Sequence, residues 1–312
     1  MNTTTITVDS LPEIKCIQVP TPFRVGPVNI YIIGDILIDT GPLTATTLEK
    51  VMKEIACTSI RTILITHGHV DHHGLAPRIK NQMDCPVYVH PCDERVVAGY
   101  PDEITYKLGA YTAFLKKAGL SHDICSSFEK IYRSYQHYGE SCEVEPLRES
   151  VETDAGTLRV IHTPGHTSGS VCFLLEHVLF SGDTLLPTIS TNSSMHALFD
   201  ERCGLTSYQN SLQILKNVPV SLVLPGHGSP IYHSKKRIEE ILAEHAHRRD
   251  HILERLHRGL RSLTEIQDAI FGPVHPSETL LALSECYDHL SILEKEGLIV
   301  KINDDPPQFE PL

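Results

Sequence analysis

The sequence predicts an α/β fold in which metal-ligating side chains follow the ends of strands. Two observations support this prediction. Short apolar runs such as residues 63–65 are typical of buried strands, and they alternate with segments of helical periodicity such as residues 44–55. Ligand-type side chains directly follow several of these strands, at the edge of the sheet where α/β folds commonly place ligands.

The densest group of ligand-type side chains occupies residues 66–74, which hold four histidines, one aspartate and two glycines. Alternate side chains of an extended chain share a face, so His67, His69 and Asp71 are expected to point the same way, with His72 following as the chain turns. Imidazole and carboxylate groups suit zinc, and also manganese or iron. A solvated loop with a chance excess of histidine is the alternative. The spacing behind a strand favours metal, and the number of ligand groups favours two adjacent ions.

The second half of the sequence repeats this layout three times. Strands predicted at 158–162, 178–180 and 220–224 precede His166, Asp183 and His227, respectively. Each of these residues has a glycine neighbour that lets the backbone approach closely. Three such elements behind the first cluster are much stronger evidence than a single Pro-Gly-His segment.

The motif His67-x-His69-x-Asp71-His72 resembles the HxHxDH signature of the metallo-β-lactamase-fold hydrolases, and the three later elements match that family's later motifs. The resemblance implies an αββα four-layer sandwich and two divalent ions, with zinc expected and iron or manganese also suited. It implies one ion held by the ligands at 67, 69 and 166, a second held by those at 71, 72 and 227, and a bridging role for Asp183. It further implies that a metal-bridged hydroxide attacks the substrate and that Asp71 is essential for catalysis.

Asp39, in the segment Leu-Ile-Asp-Thr-Gly at 37–41, has two interpretations. It could cap the helix that begins near Thr44. In the resembling family, an aspartate in this segment supports the metal histidines and selects their tautomer, which is the favoured interpretation. His73 and His162 adjoin ligands but fall outside the pattern, and a supporting or structural role is expected for them. His69 disfavours the flavo-diiron oxygen reductases of this fold, which usually carry Glu at that position.

Two further segments border the predicted site. Residues from about 93 to 147 are predicted to form a helical insertion, in which aromatic residues from Tyr111 to Tyr135 recur at helical spacing. These aromatics form either core or the wall for an apolar part of a substrate, and both interpretations stay open. Asn192 and Tyr208, between Asp183 and His227, are candidate substrate contacts, although loop stabilisation and packing are commoner roles for such residues.

The chain is predicted to contain a catalytic domain at 1–235 and a smaller domain at 236–312. The second should contain three helices, with Thr264 capping the second and the third at 279–296, followed by a strand at 298–302 and a turn. This order resembles a winged helix, which a subgroup of the fold carries, including an animal endoribonuclease. Residues 278–296, which are the third helix and the residue before it, carry five acidic residues and one lysine. This composition favours a packing or wall-forming role over nucleic-acid binding.

Composition and charge narrow the range of expected partners and cellular compartments. The 312 residues carry a net charge of −12, which mildly disfavours nucleic-acid partners. The N-terminus lacks the layout of a signal peptide, and no apolar run reaches the roughly 20 residues that span a bilayer. Nine scattered cysteines without a CxxC pair favour a reducing compartment. A cytoplasmic protein without a membrane partner is therefore expected, and its oligomeric state is left open.

The function predicted from these features is metal-dependent hydrolysis of a small thioester or related acyl compound, as in the hydroxyacylglutathione-hydrolase-like branch of the resembling family. An endoribonuclease or phosphodiesterase acting on single-stranded RNA is the alternative that the winged-helix resemblance favours. A mononuclear iron dioxygenase acting on persulfides would use similar ligands. A non-catalytic nucleic-acid-binding regulator is an alternative of another class, which missing ligands would indicate, and none is missing.

Overall fold

Two β-sheets packed face to face form the centre of the protein. The computed structural model describes residues 2–312. The first sheet contains seven strands in chain order, antiparallel from β1 to β4 and parallel from β4 to β7. These strands are β1 Thr3–Ile6, β2 Ile14–Val19, β3 Val28–Ile33, β4 Ile36–Ile38, β5 Thr62–Leu64, β6 Val87–Val89 and β7 Glu145–Pro146.

The second sheet has five strands in the order β12-β11-β10-β9-β8. Its neighbours are antiparallel except β11 and β12, which pair in parallel because a helix crosses between them. The strands are β8 Ser150–Thr153, β9 Gly156–His162, β10 Val171–Leu175, β11 Val178–Gly182 and β12 Leu222–Pro225.

Residues 2–312 form ten α-helices in addition to the two sheets. They are α1 Ala45–Ile55, α2 Val70–His73, α3 Ala76–Met83, α4 Pro91–Ala98, α5 Asp102–Lys117, α6 His122–Ser134, α7 Leu205–Lys216, α8 Ser234–His257, α9 Leu263–Phe271 and α10 Thr279–Lys295. Helices α4 to α6 occupy the predicted insertion. The chain ends in a two-stranded antiparallel sheet of β13 Ile299–Asp304 and β14 Pro307–Pro311.

The alternation of side chains along each strand divides the core into layers. Ile14 and Ile33 of the first sheet pack against Phe173 and other residues of the second. Ile17 and Ile30 point the opposite way, toward α1 and α3. The outer face of the second sheet packs against α7 and α8. The predicted αββα four-layer arrangement is therefore confirmed.

A fourth hydrophobic cluster joins the helical insertion to the C-terminal helices. It combines side chains of α5 and α6 with those of α8, α9, α10 and the terminal sheet. The three helices and the hairpin predicted for the C-terminal region are present, whereas the boundary near residue 235 and the winged-helix resemblance stay predictions.

The structure corrects several local predictions. The side chain of Thr44, not Asp39, caps α1, and Ser262, not Thr264, caps α9 in a capping box with Glu265. The expected alternation of an extended chain ends at His69, because residues 70–73 form the helical turn α2. Strand β5 begins and ends one residue before the predicted run.

Among the described residues, no helix is both long and apolar enough to cross a membrane. All nine cysteines, which lie within the described part of the chain, are free thiols.

Two buried histidines make the stability of the fold depend on pH. His245 of α8 and His289 of α10 lie 6.4 Å apart between ring centroids. Burial lowers the pKa of His245 to about 4. Burial, together with the positive charge of His245 and two arginines, lowers the pKa of His289 to about 3. Both groups are therefore neutral in the folded protein at a pH where the unfolded chain binds protons.

Since each pKa is lower in the folded protein than its ordinary value of 6.5, stability is fully present above pH 6.5 and falls as the pH drops below it. Each group contributes up to about 1.4 kcal/mol per pH unit in that window. We predict that His289→Gln flattens the fall of the free energy of unfolding between pH 6.5 and about 4, measured by urea denaturation. His257→Gln, at an exposed position of α8, is the matched control. A slope identical in His289→Gln and the unmodified protein would contradict the prediction.

Candidate metal centre

Strand ends from both sheets deliver the seven predicted ligands to one place. His67 and His69 follow β5, and Asp71 and His72 lie on α2. The other three follow strands of the second sheet: His166 lies between β9 and β10, Asp183 follows β11 and His227 follows β12. Three groups of donor atoms each lie within 4.8 Å of one another, namely those of His67, His69 and His166, those of His67, His72 and Asp183, and those of Asp71, His72 and His227.

Asp183 lies close to histidines of both ligand groups that the resemblance implies. Its Oδ1 is 3.4 Å from His72 Nε2, and its Oδ2 is 3.6 Å from His227 Nε2 and 3.8 Å from His166 Nε2. His227 Nε2 is also 3.4 Å from Asp71 Oδ2. The spacing therefore suits a carboxylate shared by two ions.

The donor atoms that face this centre fit a metal. Among the described residues, five buried atoms of the ligand set form no hydrogen bond, namely Nε2 of His67, His72, His166 and His227 and Oδ1 of Asp183. Buried polar atoms are almost always hydrogen-bonded, so five converging exceptions require another partner. Imidazole nitrogen and carboxylate oxygen are the donors that divalent zinc, iron and manganese accept.

Contacts on the opposite ring nitrogen orient these imidazoles. The Nδ1 atoms of His166 and His227 lie 2.8 Å and 2.9 Å from the carbonyl oxygens of Asn192 and Pro27, respectively. A carbonyl only accepts hydrogen bonds, so the proton of each ring sits on Nδ1 and the lone pair of Nε2 points to the centre.

Asp39 supports a second pair of ligands. Its Oδ2 lies 2.7 Å from Nδ1 of His72, and its two oxygens accept from the amide and the hydroxyl of Thr66, both at 2.8 Å. The Thr66 hydroxyl is in turn 3.1 Å from Nδ1 of His67. Since that hydroxyl donates to Asp39, it accepts from His67. One buried carboxylate therefore orients two imidazoles, which is the contact that the favoured interpretation of Asp39 requires.

His69 is oriented the other way, through a residue that sequence analysis did not identify. Its Nε2 lies 2.9 Å from Nε2 of His196, whose Nδ1 lies 3.1 Å from the hydroxyl of Tyr111. The nitrogen of His69 left for a metal is therefore Nδ1. His196 lies in a 3₁₀ turn at 196–198, far from any strand end, so no local pattern marks it.

Burial and neighbouring charges favour different protonation states for different donor groups. Burial, reinforced by neighbouring histidines, lowers the pKa of His67 and His69, which stay neutral. Burial opposes ionisation of Asp183, but His227 and His72 outweigh it and lower the pKa of that carboxyl. Burial also opposes protonation of His72, yet the surrounding carboxylates, Asp183 first, raise its pKa. A divalent ion competes with that proton, so metal binding should strengthen as pH rises.

Asp93, which the sequence analysis did not identify, connects two ligand loops. Its Oδ2 accepts from the Gly68 amide at 2.7 Å and from the Thr167 hydroxyl at 2.6 Å, and its Oδ1 accepts from the Gly169 amide at 2.9 Å. A Cβ atom at residue 169 would lie 2.5 Å from Cγ of Asp93, so only glycine permits this approach. Asp93 therefore fixes the loop of His67 and His69 against the loop of His166.

A cavity of about 700 Å³ lies beside the ligand set. The helical insertion supplies much of its aromatic wall, through Tyr100, Phe128, Tyr132, Tyr135 and Tyr138, and α10 adds Leu280 and Leu281. Tyr111 is instead fully buried in the core. Some aromatic residues of the insertion therefore line the cavity, whereas Tyr111 belongs to the core.

The structure separates the two candidate substrate contacts. Asn192 lines the cavity, but its side chain donates to the carbonyl of Leu281 at 3.1 Å and accepts from the Met195 amide at 3.0 Å. Tyr208 has no exposed surface, lies outside the cavity lining and donates to the Thr184 carbonyl at 2.9 Å. Tyr208 is therefore a packing residue, and Asn192 holds the loop that orients His166.

Helix α10 also supports that loop. Asp288 accepts from the Ser194 hydroxyl at 2.9 Å and from the Leu205 amide at 2.7 Å, and Glu285 pairs with Arg248 of α8. Two of the five acidic residues counted on the third C-terminal helix are thus turned inward. Fewer acidic side chains of this helix are therefore left at the surface to repel phosphate than their number in the sequence indicates.

We predict that Asp93→Asn weakens metal binding by about tenfold to a hundredfold, because an amide offers one acceptor where the carboxylate serves three donors. The measurement is competition with a chromophoric chelator. Asp123→Asn, at a fully exposed position of α6, is the matched control. Unchanged metal affinity in Asp93→Asn would show that the ligand loops do not depend on this contact.

Comparison with known proteins identifies the family. The Metallo-beta-lactamase superfamily matches residues 23–227. A probable metallo-hydrolase of Bacillus subtilis (strain 168) is 28% identical over 304 residues, covering 92% of this chain and 94% of that protein. The Beta-lactamase-like protein 2 homolog of Caenorhabditis elegans is 26% identical over 306 residues, covering 93% and 85%, respectively.

Solved structures agree with this match. The crystal structure of a metallo-beta-lactamase family protein from Thermus thermophilus has a TM-score of 0.80 and 26% identity, and the match covers 96% of this chain and 98% of that one. A beta-lactamase domain protein from Burkholderia ambifaria has a TM-score of 0.83 at 24% identity, covering 99% and 94%, and shows the same fold. Because the family match spans most of the chain and includes all seven predicted ligands, the chain belongs to the metallo-beta-lactamase superfamily of metallo-hydrolases.

Proposed function

We propose that the chain is a binuclear metal-dependent hydrolase that acts on small acyl compounds, thioesters foremost. The observation that carries this proposal is the cavity of about 700 Å³ beside the ligand set. Its volume suits a small molecule, and its wall of tyrosines, phenylalanines and leucines suits an acyl group. A hydroxyacylglutathione-hydrolase-like activity is the nearest class.

The arrangement of donors supports two ions rather than one. His67, His69 and His166 form one group, and Asp71, His72 and His227 form another. Asp183 reaches toward histidines of both groups. When bound, two divalent ions would lower the pKa of a water molecule toward neutrality and polarise the substrate's carbonyl oxygen. Zinc is the expected metal, and iron or manganese also suits these donors.

The chain's own residues supply orientation and exclusion of water. The hydrogen bonds of Asp39, Asn192 and Pro27 hold the donor nitrogens of their histidines in place before any substrate arrives. The apolar wall excludes water from the acyl part of the substrate, which strengthens every electrostatic interaction at the reacting carbonyl.

An RNA substrate suits the cavity less well. Among the described residues that line it, the lysine and arginine side chains are Lys107 and Arg24, and Arg24 pairs with Glu278 at 3.1 Å. Recognition of a phosphodiester backbone depends on several free cations. The contents of the cavity wall do not bear on a winged-helix role in binding nucleic acid or on a cytoplasmic location. The persulfide dioxygenase alternative has its own test, because metal analysis that finds one iron per chain would favour it.

We predict that Asp71→Ala lowers thioester turnover by a factor of about 1,000 or more while the protein stays folded, because it removes a donor from the second group. Turnover is measured as thiol released by metal-loaded enzyme, and folding by circular dichroism. Asp123→Ala is the matched control at an exposed site. Retained activity in Asp71→Ala would show that Asp71 is not needed for catalysis. Turnover of single-stranded RNA without turnover of any thioester would favour the alternative substrate.

A further inference from the structure

Helix α5 presents a lysine to the cavity. Lys107 is 9% exposed and lines the cavity together with Ile104 of the same helix. One turn further along the same face, Tyr111 contacts His196, and His196 contacts the predicted ligand His69. This part of α5 therefore borders the candidate metal centre.

Lys107 has no direct partner. Within residues 2–312 its ammonium group forms neither a hydrogen bond nor an ion pair. The other charged side chains of the cavity wall are all engaged. Arg24 pairs with Glu278 at 3.1 Å, Glu103 pairs with Arg95 at 2.7 Å, and both aspartates belong to the ligand set. The Lys107 ammonium nitrogen is not among the fully buried polar atoms that lack a partner, so it is open to the cavity that the residue lines. A cation held in a largely apolar wall is stabilised by an anion that pairs with it.

The nearest acidic groups do not supply that contact. Burial lowers the pKa of Lys107, and Asp93 and Glu103 oppose this lowering from a distance. The oxygens of Asp93 are already occupied by three donors from the ligand loops. Glu103 accepts from Arg95. These carboxylates therefore offset the charge of Lys107 without filling the space in front of it.

We propose that Lys107 is the anion-binding residue of the substrate pocket, where it contacts a carboxylate carried by a small acyl substrate whose apolar part lies against the aromatic wall. This inference rests on the proposed function in one respect, since it takes the cavity as the place where substrate binds. The carboxylate can belong to the acyl part or to the thiol part of a thioester. A divalent-metal site next to the lysine adds positive charge and favours an anionic substrate further.

Binding tests the lysine independently of turnover. The probes are hexanoate and hexanamide, which share an apolar chain and differ in charge, measured by calorimetry on the metal-loaded protein. The carboxylate of hexanoate can also bind the metal ions. The affinity of each probe is therefore compared between Lys107→Met and the unmodified protein. We expect Lys107→Met to weaken hexanoate about tenfold and to change hexanamide less than about twofold. Lys117→Met, on the exposed side of α5, is the matched control. Equal effects on both probes, or none on either, would overturn the proposal.

Turnover measurements then show whether the acyl part or the thiol part of the substrate carries the carboxylate that Lys107 contacts. Three thioesters serve, namely S-butanoyl-N-acetylcysteamine without charge, S-succinyl-N-acetylcysteamine with a carboxylate on the acyl part, and S-butanoyl-3-mercaptopropionate with one on the thiol part. We expect Lys107→Met to raise KM for one of the anionic thioesters about tenfold with little change in kcat, and Lys107→Arg to restore part of the loss. The neutral thioester should be unaffected.

The two proposals fail differently. If the unmodified enzyme hydrolyses none of the three thioesters, the acyl-hydrolase proposal fails, and the effect of Lys107→Met on hexanoate relative to hexanamide still decides the role of Lys107. If thioesters are hydrolysed but Lys107→Met treats the anionic and neutral ones alike, the anion-binding proposal fails and the hydrolase proposal stands.

Discussion

The candidate centre depends on hydrogen bonds to the nitrogens that face away from it. A histidine ring can present either nitrogen to a metal, and the partner of the second nitrogen decides which one is free. Carbonyl oxygens of Asn192 and Pro27 decide it for His166 and His227, and Asp39 decides it for His72. His69 alone is held through Nε2, by His196. Five rings, three from the motif at 67–72 and two from later loops, thereby aim their lone pairs at one small volume.

The helical insertion and the C-terminal helices contribute directly to the surroundings of this centre. The helical insertion and the C-terminal helices share one hydrophobic cluster, and together they form much of the cavity wall. Helix α10 also holds the loop around Asn192, whose carbonyl orients His166. Through these contacts, changes in the C-terminal region reach a predicted metal ligand. Asp288 adds to this support by accepting from the Ser194 hydroxyl and the Leu205 amide, whereas Glu285 pairs with Arg248 of α8.

Charge is distributed unequally around the cavity. Members of the ligand set supply carboxylates and imidazoles to the cavity, and apolar side chains supply much of the rest of its wall. Lys107 lines the same cavity without a direct partner among the described residues, whereas Arg24 and Glu103 are both paired. The anion-binding proposal for Lys107 rests on this arrangement, because desolvation makes an unmatched charge costly.

The sequence alone predicted the strands that precede the site, the seven candidate ligands and the family, because each of those candidates lies at the end of a strand or in the short motif at 67–72, where local spacing is enough to recognise it. It also pointed to Asp39 through its segment at 37–41. Only the tertiary structure brought in His196, Asp93 and Lys107, and only it moved Tyr208 out of the cavity. His196 is 127 residues from the ring it contacts, and Asp93 reaches loops 25 and 76 residues away. Such contacts are created by the packing of layers, and no periodicity of the chain encodes them.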